Sequence, residues 1–326
     1  MEFQLPIKIA SLPQPIRYQD KILLVGSCFT EHIGDQLGEW KFDVLQNPNG
    51  ILFDPASVGA SLVSYIGNQL CEEGDLVYFN ELWQSWQHHS VFSHTDKEAC
   101  LQGINAARAR AHAFLKETKW LIITLGSAFS YRLRENGKAV ANCHRAPAQT
   151  FDKHLMTIEE IHSTLDNCLH QLFHFNPSLQ VIFTVSPVRH IRDGVIENNR
   201  SKARLIESVH HLVNKFDRIH YFPAYELVID VLRDYRFYDV DMVHPNYPAT
   251  QFVLEKFSQH YIDEASRQVM EEVKKIVIAR KHRPFQPSTQ AHQRFLKDHQ
   301  QRTADLARRY PFLNLEEELA YFATGS

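Results

Sequence analysis

The chain has 326 residues, enough to bury a large core as one sizeable domain or two. Apolar residues make up 44% and charged residues 22%, with a formal net charge of -3, so neither a disordered chain nor a basic nucleic-acid-binding protein is indicated. Five cysteines, odd in number and widely spaced without a CxxC pair, argue against a disulfide framework or a zinc ribbon.

Residues 1 to 20 carry three prolines and no period, and an extended lead-in is expected there. The N-terminus lacks a basic, apolar leader, and no stretch reaches the roughly eighteen consecutive apolar residues of a membrane span. A cytoplasmic location is therefore expected, with no membrane partner and no nucleic-acid partner.

Lys21 to Val25 is an apolar, partly β-branched run that stops at Gly26-Ser27-Cys28, and Glu31 to Trp40 has a helical period. This reads as strand, sharp turn, helix. At such a corner of an open α/β sheet a serine hydroxyl is exposed to ligand beside a helix N-terminus. The plainer reading makes Ser27 an N-cap and Gly26 a turn residue. Cys28 competes as a nucleophile, since a thiolate at a helix start is reactive.

A second strand is expected over Phe42 to Leu45, followed by the turn-rich Gln46-Asn47-Pro48-Asn49-Gly50. Gly50 is either a plain turn glycine or a backbone donor to a developing oxyanion. Ala56 to Asn68 reads as helix. Residues 74 to 94, rich in aromatics and histidine, suit a lid or pocket wall better than a strand of the main sheet. No HExxH occurs among these histidines, so no metal is expected, nor any cofactor.

Helix over Ala99 to Lys116 precedes Lys119 to Gly126, a buried parallel strand by its continuous apolar run. A hairpin around Asn136-Gly137 leads to the polar cluster Asn142-Cys143-His144-Arg145. Helix 157–175, strand 179–187, helix 198–216 and strand 219–222 complete a βαβα alternation that calls for a parallel sheet covered on both faces. Ser186 and His190 follow a strand end, where they line a pocket or serve the loop. After a helix over Tyr225 to Arg233 comes Asp241-Met242-Val243-His244-Pro245, whose spacing can set a carboxylate against an imidazole. Residues 249 to 310 read as mainly helical with a break at Arg283 to Pro287, and the last four residues as loose.

Gly26-Ser27-Cys28-Phe29, Asn47-Pro48-Asn49-Gly50, Asn142-Cys143-His144, Thr184-Val185-Ser186-Pro187-Val188 and Asp241-Met242-Val243-His244-Pro245, in that order, resemble the GSCFA family, itself similar to the SGNH/GDSL hydrolases. Thr30 stands where the family name calls for alanine. The resemblance implies a three-layer α/β/α sandwich with a five-stranded parallel, flavodoxin-like sheet over residues 1–255, and leaves 256–326 as a C-terminal helical extension packed on the same domain. It also implies ester chemistry: Ser27 as nucleophile, His244 as base, Asp241 as its carboxylate, and the amides of Ser27 and Gly50 in the oxyanion hole. The superfamily's third-block asparagine is missing, because Ala128 follows Gly126-Ser127, and Asn142 is the substitute donor. His144, Arg145 and Ser186 are the expected substrate contacts. The expected partner is a small-molecule or carbohydrate acyl ester, with oligomeric state open. An O-acyltransferase using the same residues, and an SGNH-like binding protein without turnover, are the alternatives.

Overall fold

The computed structural model describes residues 5–325. Five parallel strands form the central sheet: β1 (Lys21–Gly26), β2 (Val44–Gln46), β3 (Thr118–Leu125), β4 (Gln180–Val185) and β5 (Ile219–Tyr221), ordered β5-β4-β3-β1-β2. This is the doubly wound order in which the chain switches direction beside β1 and β3. The parallel sheet covered by helices is as the βαβα alternation calls for, and its five strands are as the resemblance implies.

Alternation along the strands divides the core in two. Ile22, Leu24, Trp120, Ile122 and Ile182 point to one face, and Leu23, Val25, Leu121, Ile123, Val181 and Phe183 to the other. The second face is covered by α2 (Pro55–Gly67), α3 (Lys97–Glu117), α4 (Ile158–Phe175) and α5 (Val195–Lys215). The first is covered by α1 (Cys28–Glu39) together with α6 (Tyr247–Tyr261), α7 (Glu264–Lys281), α8 (Gln290–Arg309) and α9 (Glu316–Thr324). Val273, Ile276, Leu306 and Phe322 thus share one apolar cluster with Leu24 and Phe29. Because α9 runs to Thr324, Ala323 and Thr324 are helical rather than loose, and Ser326 lies outside the described residues.

Two local features differ from expectation. The second strand starts at Val44, because Phe42 turns inward and stacks on Tyr18 with ring centroids 4.1 Å apart. Beyond Glu226 the expected helix widens to a π-helix over Leu227–Leu232. Residues 74–94 hold a short hairpin, Val77–Phe79 with Leu82–Gln84, outside the central sheet. A second satellite sheet, Ala139–Val140, Phe129–Leu133 and Phe151–Leu155, rises from the end of β3.

Candidate functional site

The site begins where β1 ends. Gly26 has φ of +145°, and any Cβ there would lie 2.1 Å from the Thr124 carbonyl oxygen, so only glycine lets β1 pass this close to β3 before turning. Ser27 then takes the N-cap position of α1, yet its side chain makes no capping bond. The other Thr, Asp and Asn N-caps of the long helices, Asp54, Asp96, Thr157, Asn246, Asp263 and Thr289, all accept an amide with theirs. The Ser27 hydroxyl is buried, 1% exposed as a residue, and has no hydrogen-bond partner at all. The capping explanation of this serine therefore fails.

Cys28 is half-buried beside it, and burial raises its thiol pKa, the Glu31 charge adding to the effect. That is the reverse of what an attacking thiolate needs.

The Asp241–His244 pair is formed. Asp241 Oδ2 lies 2.7 Å from His244 Nδ1, and its Oδ1 accepts the backbone N–H of both Val243 (2.9 Å) and His244 (3.0 Å). Those bonds, the backbone one from His244 first, hold the Asp241 carboxyl down at about 2. The loop is a braced turn: Met242 adopts φ of +57°, its N–H bonds Asp239 O, Asp239 N–H bonds His244 O, and Asn246 Nδ2 donates to Arg236 O. Both side chains remain about half exposed, and His244 makes no bond to the Ser27 hydroxyl.

The loop after β4 joins these two corners. Arg189 N–H bonds Val243 O at 3.3 Å, and His190 N–H bonds Asn198 Oδ1 at 2.9 Å. A methyl group placed on Gly126 would lie 3.1 Å from Phe53 Cδ1, 3.2 Å from Ser27 Cβ and 3.5 Å from His190 Nε2. Gly126 thus keeps open a small space bounded by the serine and this histidine. Burial lowers the His190 pKa to about 4, with the charges of Lys202 and His244 adding to it.

Beneath the edge lies a group that sequence reading passed over. Lys202 of α5 is 1% exposed, and its Nζ donates to Gly126 O and Ser186 O, both at 2.6 Å. Burial draws its pKa down to about 7. Ser201 accepts the Ala128 N–H at 2.7 Å, so Asn198, Ser201 and Lys202 together brace the turns after β3 and β4. The signal was present: these three positions fall on the same helical stripe as Leu205, Val209 and Leu212.

The remaining expected residues are placed as follows. Gly50 has φ of +75° and abuts His89, but its N–H donates to Asn47 O at 2.7 Å; the Ser27 N–H donates to Thr124 O at 3.1 Å. Neither amide is free as an oxyanion donor here. Asn142 is tied to Trp86 O by its N–H and to its own loop by Oδ1, which accepts the His144 N–H at 2.9 Å; none of these bonds reaches the Ser27 corner. His144 is buried against Trp86, with Nε2 on Ser85 O at 2.8 Å, so it anchors the 85–89 wall, while Arg145 is exposed. Ser186 is not a pocket residue: it is 0% exposed, and its hydroxyl accepts the Val188 N–H to shape the turn into Pro187.

A cavity of about 440 Å³ opens beside Asp241, lined by Ile191, Val195, Tyr235, Tyr238 and Met242 with Arg189, Arg233 and Asp234 among them. Among the described residues, no group of three or more His, Cys, Asp or Glu side chains could hold a metal, and no helix is long and apolar enough to cross a membrane.

Among solved structures, the chain is similar to a carbohydrate esterase family 3 protein from Talaromyces cellulolyticus, with 9% identity, 79% of this chain and 99% of that one covered, and a TM-score of 0.35. A Clostridium thermocellum family 3 carbohydrate esterase is 10% identical over 78% of this chain and 98% of its own, at 0.32. The acetyl xylan esterase Est2A from Butyrivibrio proteoclasticus is 11% identical over 76% and 64%, at 0.35. Likenesses of that size do not bear on the chemistry. No curated protein matches the chain. Residues 273–325 match the C-terminal domain of GSCFA domain proteins, and residues 21–257, most of the chain, match the GSCFA family. The protein belongs to the GSCFA family.

Proposed function

We propose that the protein is a serine hydrolase of the SGNH type that cleaves acyl esters, with Ser27 as nucleophile, His244 as general base and Asp241 orienting the imidazole. One observation carries this reading: the Ser27 hydroxyl is buried, caps nothing and bonds nothing, and the loop after β4 that reaches its corner is bonded to the loop of a formed Asp–His pair. A buried hydroxyl without a partner costs about 1–3 kcal/mol, a cost tolerated where the group has a task.

With Nδ1 held by Asp241, Nε2 is the nitrogen that faces chemistry. Ser27 Oγ adds to the ester carbonyl carbon while its proton passes to His244. Collapse expels the alcohol, which takes that proton, and water enters by the same route to release the acid. An acceptor alcohol in place of water makes the same residues an acyltransferase. The Ser27–His244 hydrogen bond forms when substrate fills the corner, since such bonds are often absent in the free enzyme. The cavity beside Asp241, with its tyrosines, arginines and aspartate, suits a small ester with a polar alcohol, a carbohydrate O-acetyl ester among them.

A second reading has its own support. The occupied amides of Ser27 and Gly50 favour an SGNH-like binding protein without turnover. Hydrolysis of p-nitrophenyl acetate by wild type, Ser27→Ala and His244→Ala separates the two. Turnover that falls by at least about 10³-fold in either variant supports the hydrolase. Turnover indifferent to both, or none from folded protein, favours binding alone, and added methanol or xylose that diverts the acyl group identifies a transferase.

A further inference from the structure

The corner in front of Ser27 contains an imidazole nitrogen that nothing else in the fold uses. His190 Nε2 is buried and without a partner, as is the Ser27 hydroxyl, and Nε2 and the Ser27 Cβ that carries that hydroxyl border the same small space above Gly126. We propose that His190 is a catalytic residue of this site, its Nε2–H donating a hydrogen bond to the negatively charged oxygen of the tetrahedral intermediate. The inference rests on the serine-hydrolase reading above.

The ring is held for such a task. Its backbone N–H is fixed by Asn198, its ring packs nearly perpendicular to that of Phe53 with centroids 5.4 Å apart at 83°, and the neighbouring Arg189 N–H ties its loop to Val243. The backbone amides that would otherwise meet the oxygen are engaged, that of Ser27 with Thr124 O and that of Gly50 with Asn47 O. Asn47 Nδ2 is another buried, unpartnered donor, but its side-chain oxygen is committed to Gly26 N–H, and it lies farther from the Gly126 space than Ser27 and His190 do.

The chemistry divides the two histidines. His244 has a carboxylate at 2.7 Å to stabilise its imidazolium. His190 has none bonded to it; its Nε2 is buried, and desolvation, then Lys202 and His244, disfavour a positive charge while Asp193 opposes them only as the smallest influence. It therefore stays neutral at physiological pH, a poor base and a good donor, as a neutral imidazole can polarise an oxygen without giving up its proton. When Ser27 Oγ bonds the acyl carbon, the carbonyl π pair moves onto oxygen, and the serine proton goes to His244. His190 keeps its proton throughout and shares it with that oxygen until the pair returns and the alcohol leaves.

The test compares His190→Phe, which keeps a ring but no donor, His190→Ala, which leaves space, and His190→Gln, which restores an N–H. Circular dichroism checks folding, and kcat and KM are read separately on p-nitrophenyl acetate. The expected result is a kcat lower by about 10²–10³-fold in Phe and Ala with KM within a few-fold, and recovery of at least about tenfold in Gln. If the Phe variant does not fold, the Ala and Gln pair decides. A folded Phe or Ala variant with kcat near wild type overturns the proposal, as does a Gln variant no better than Ala. Wild type that turns over only with Ser27 intact while His190 is dispensable refutes this role alone; wild type without Ser27-dependent turnover refutes the parent reading and this one with it.

Discussion

Asp241 holds His244 by two routes at once: Oδ2 meets the ring nitrogen Nδ1 at 2.7 Å, and Oδ1 accepts the backbone N–H of the same residue at 3.0 Å. The carboxylate thus fixes the ring's direction and its tautomer before any substrate arrives. Replacing Asp241 with Asn keeps the backbone acceptor but lets an amide face Nδ1 and select the wrong tautomer. Asp241→Asn should lower kcat by about 10³–10⁴-fold, with a melting temperature close to wild type because the loop is exposed. Ester hydrolysis beside a thermal melt checks both halves.

Gly126→Ala adds one methyl and removes no functional group. It would lie 3.1 Å from Phe53 and 3.2 Å from Ser27 Cβ, closer than ordinary packing, and in contact with His190 Nε2 at 3.5 Å. A drop in kcat of about 10²-fold is expected in a folded protein, from displacement of the reacting groups. Steady-state kinetics with a denaturation curve distinguish this from unfolding.

Cys28→Ala should retain activity within a few-fold, because burial holds the thiol protonated. Activity that disappears with Cys28 and survives Ser27→Ala would transfer the nucleophile to sulfur.

Two histidines, His88 buried and His190 half-buried, set an acid limit. Burial lowers His88 to about 3 and His190 to about 4, against an ordinary value near 6.5 in the unfolded chain. Above pH 6.5 neither state binds the protons and the stability is complete. Between 6.5 and about 4 the unfolded chain binds more, so stability falls as pH falls, by about 5 kcal/mol for the two together at pH 4.5. Urea titrations at pH 7 and 4.5 should show this loss, and His88→Gln should remove roughly half of it.

Lys202 carries the opposite end of the range. Its folded pKa of about 7 lies below the ordinary 10.5, so between those values the unfolded chain again binds the extra proton and stability rises with pH. Lys202→Met leaves the Gly126 and Ser186 carbonyls without their donor. A net loss of about 2 kcal/mol is expected near pH 7, larger at pH 9 than at pH 6, as read from urea midpoints.

The strand and turn at Ser27 were legible because a continuous apolar run ended in a glycine that no other residue can replace. The Asp241–His244 pair was legible from its three-residue spacing. What the sequence hid depends on contacts between distant segments. Whether the Ser27 hydroxyl caps α1 is decided by its direction, and spacing carries no trace of that. Ser186 and His190 stand four apart after the same strand, yet one hydroxyl closes its own turn while the other side chain reaches the Gly126 space. Lys202 sits in a charged run that reads as solvated, and only its place in the buried stripe of α5 betrays it. The π-helix after Glu226 likewise has no local signature in residues that are all compatible with an α-helix.

The most direct measurement is peptide mapping by mass spectrometry after treatment with an organophosphonate serine-hydrolase probe, in wild type, Ser27→Ala and His244→Ala. The prediction is a single adduct on Ser27 that vanishes in Ser27→Ala and is strongly reduced in His244→Ala. An unmodified, folded wild-type protein, or an adduct on Cys28 instead, would contradict an activated serine at the end of β1.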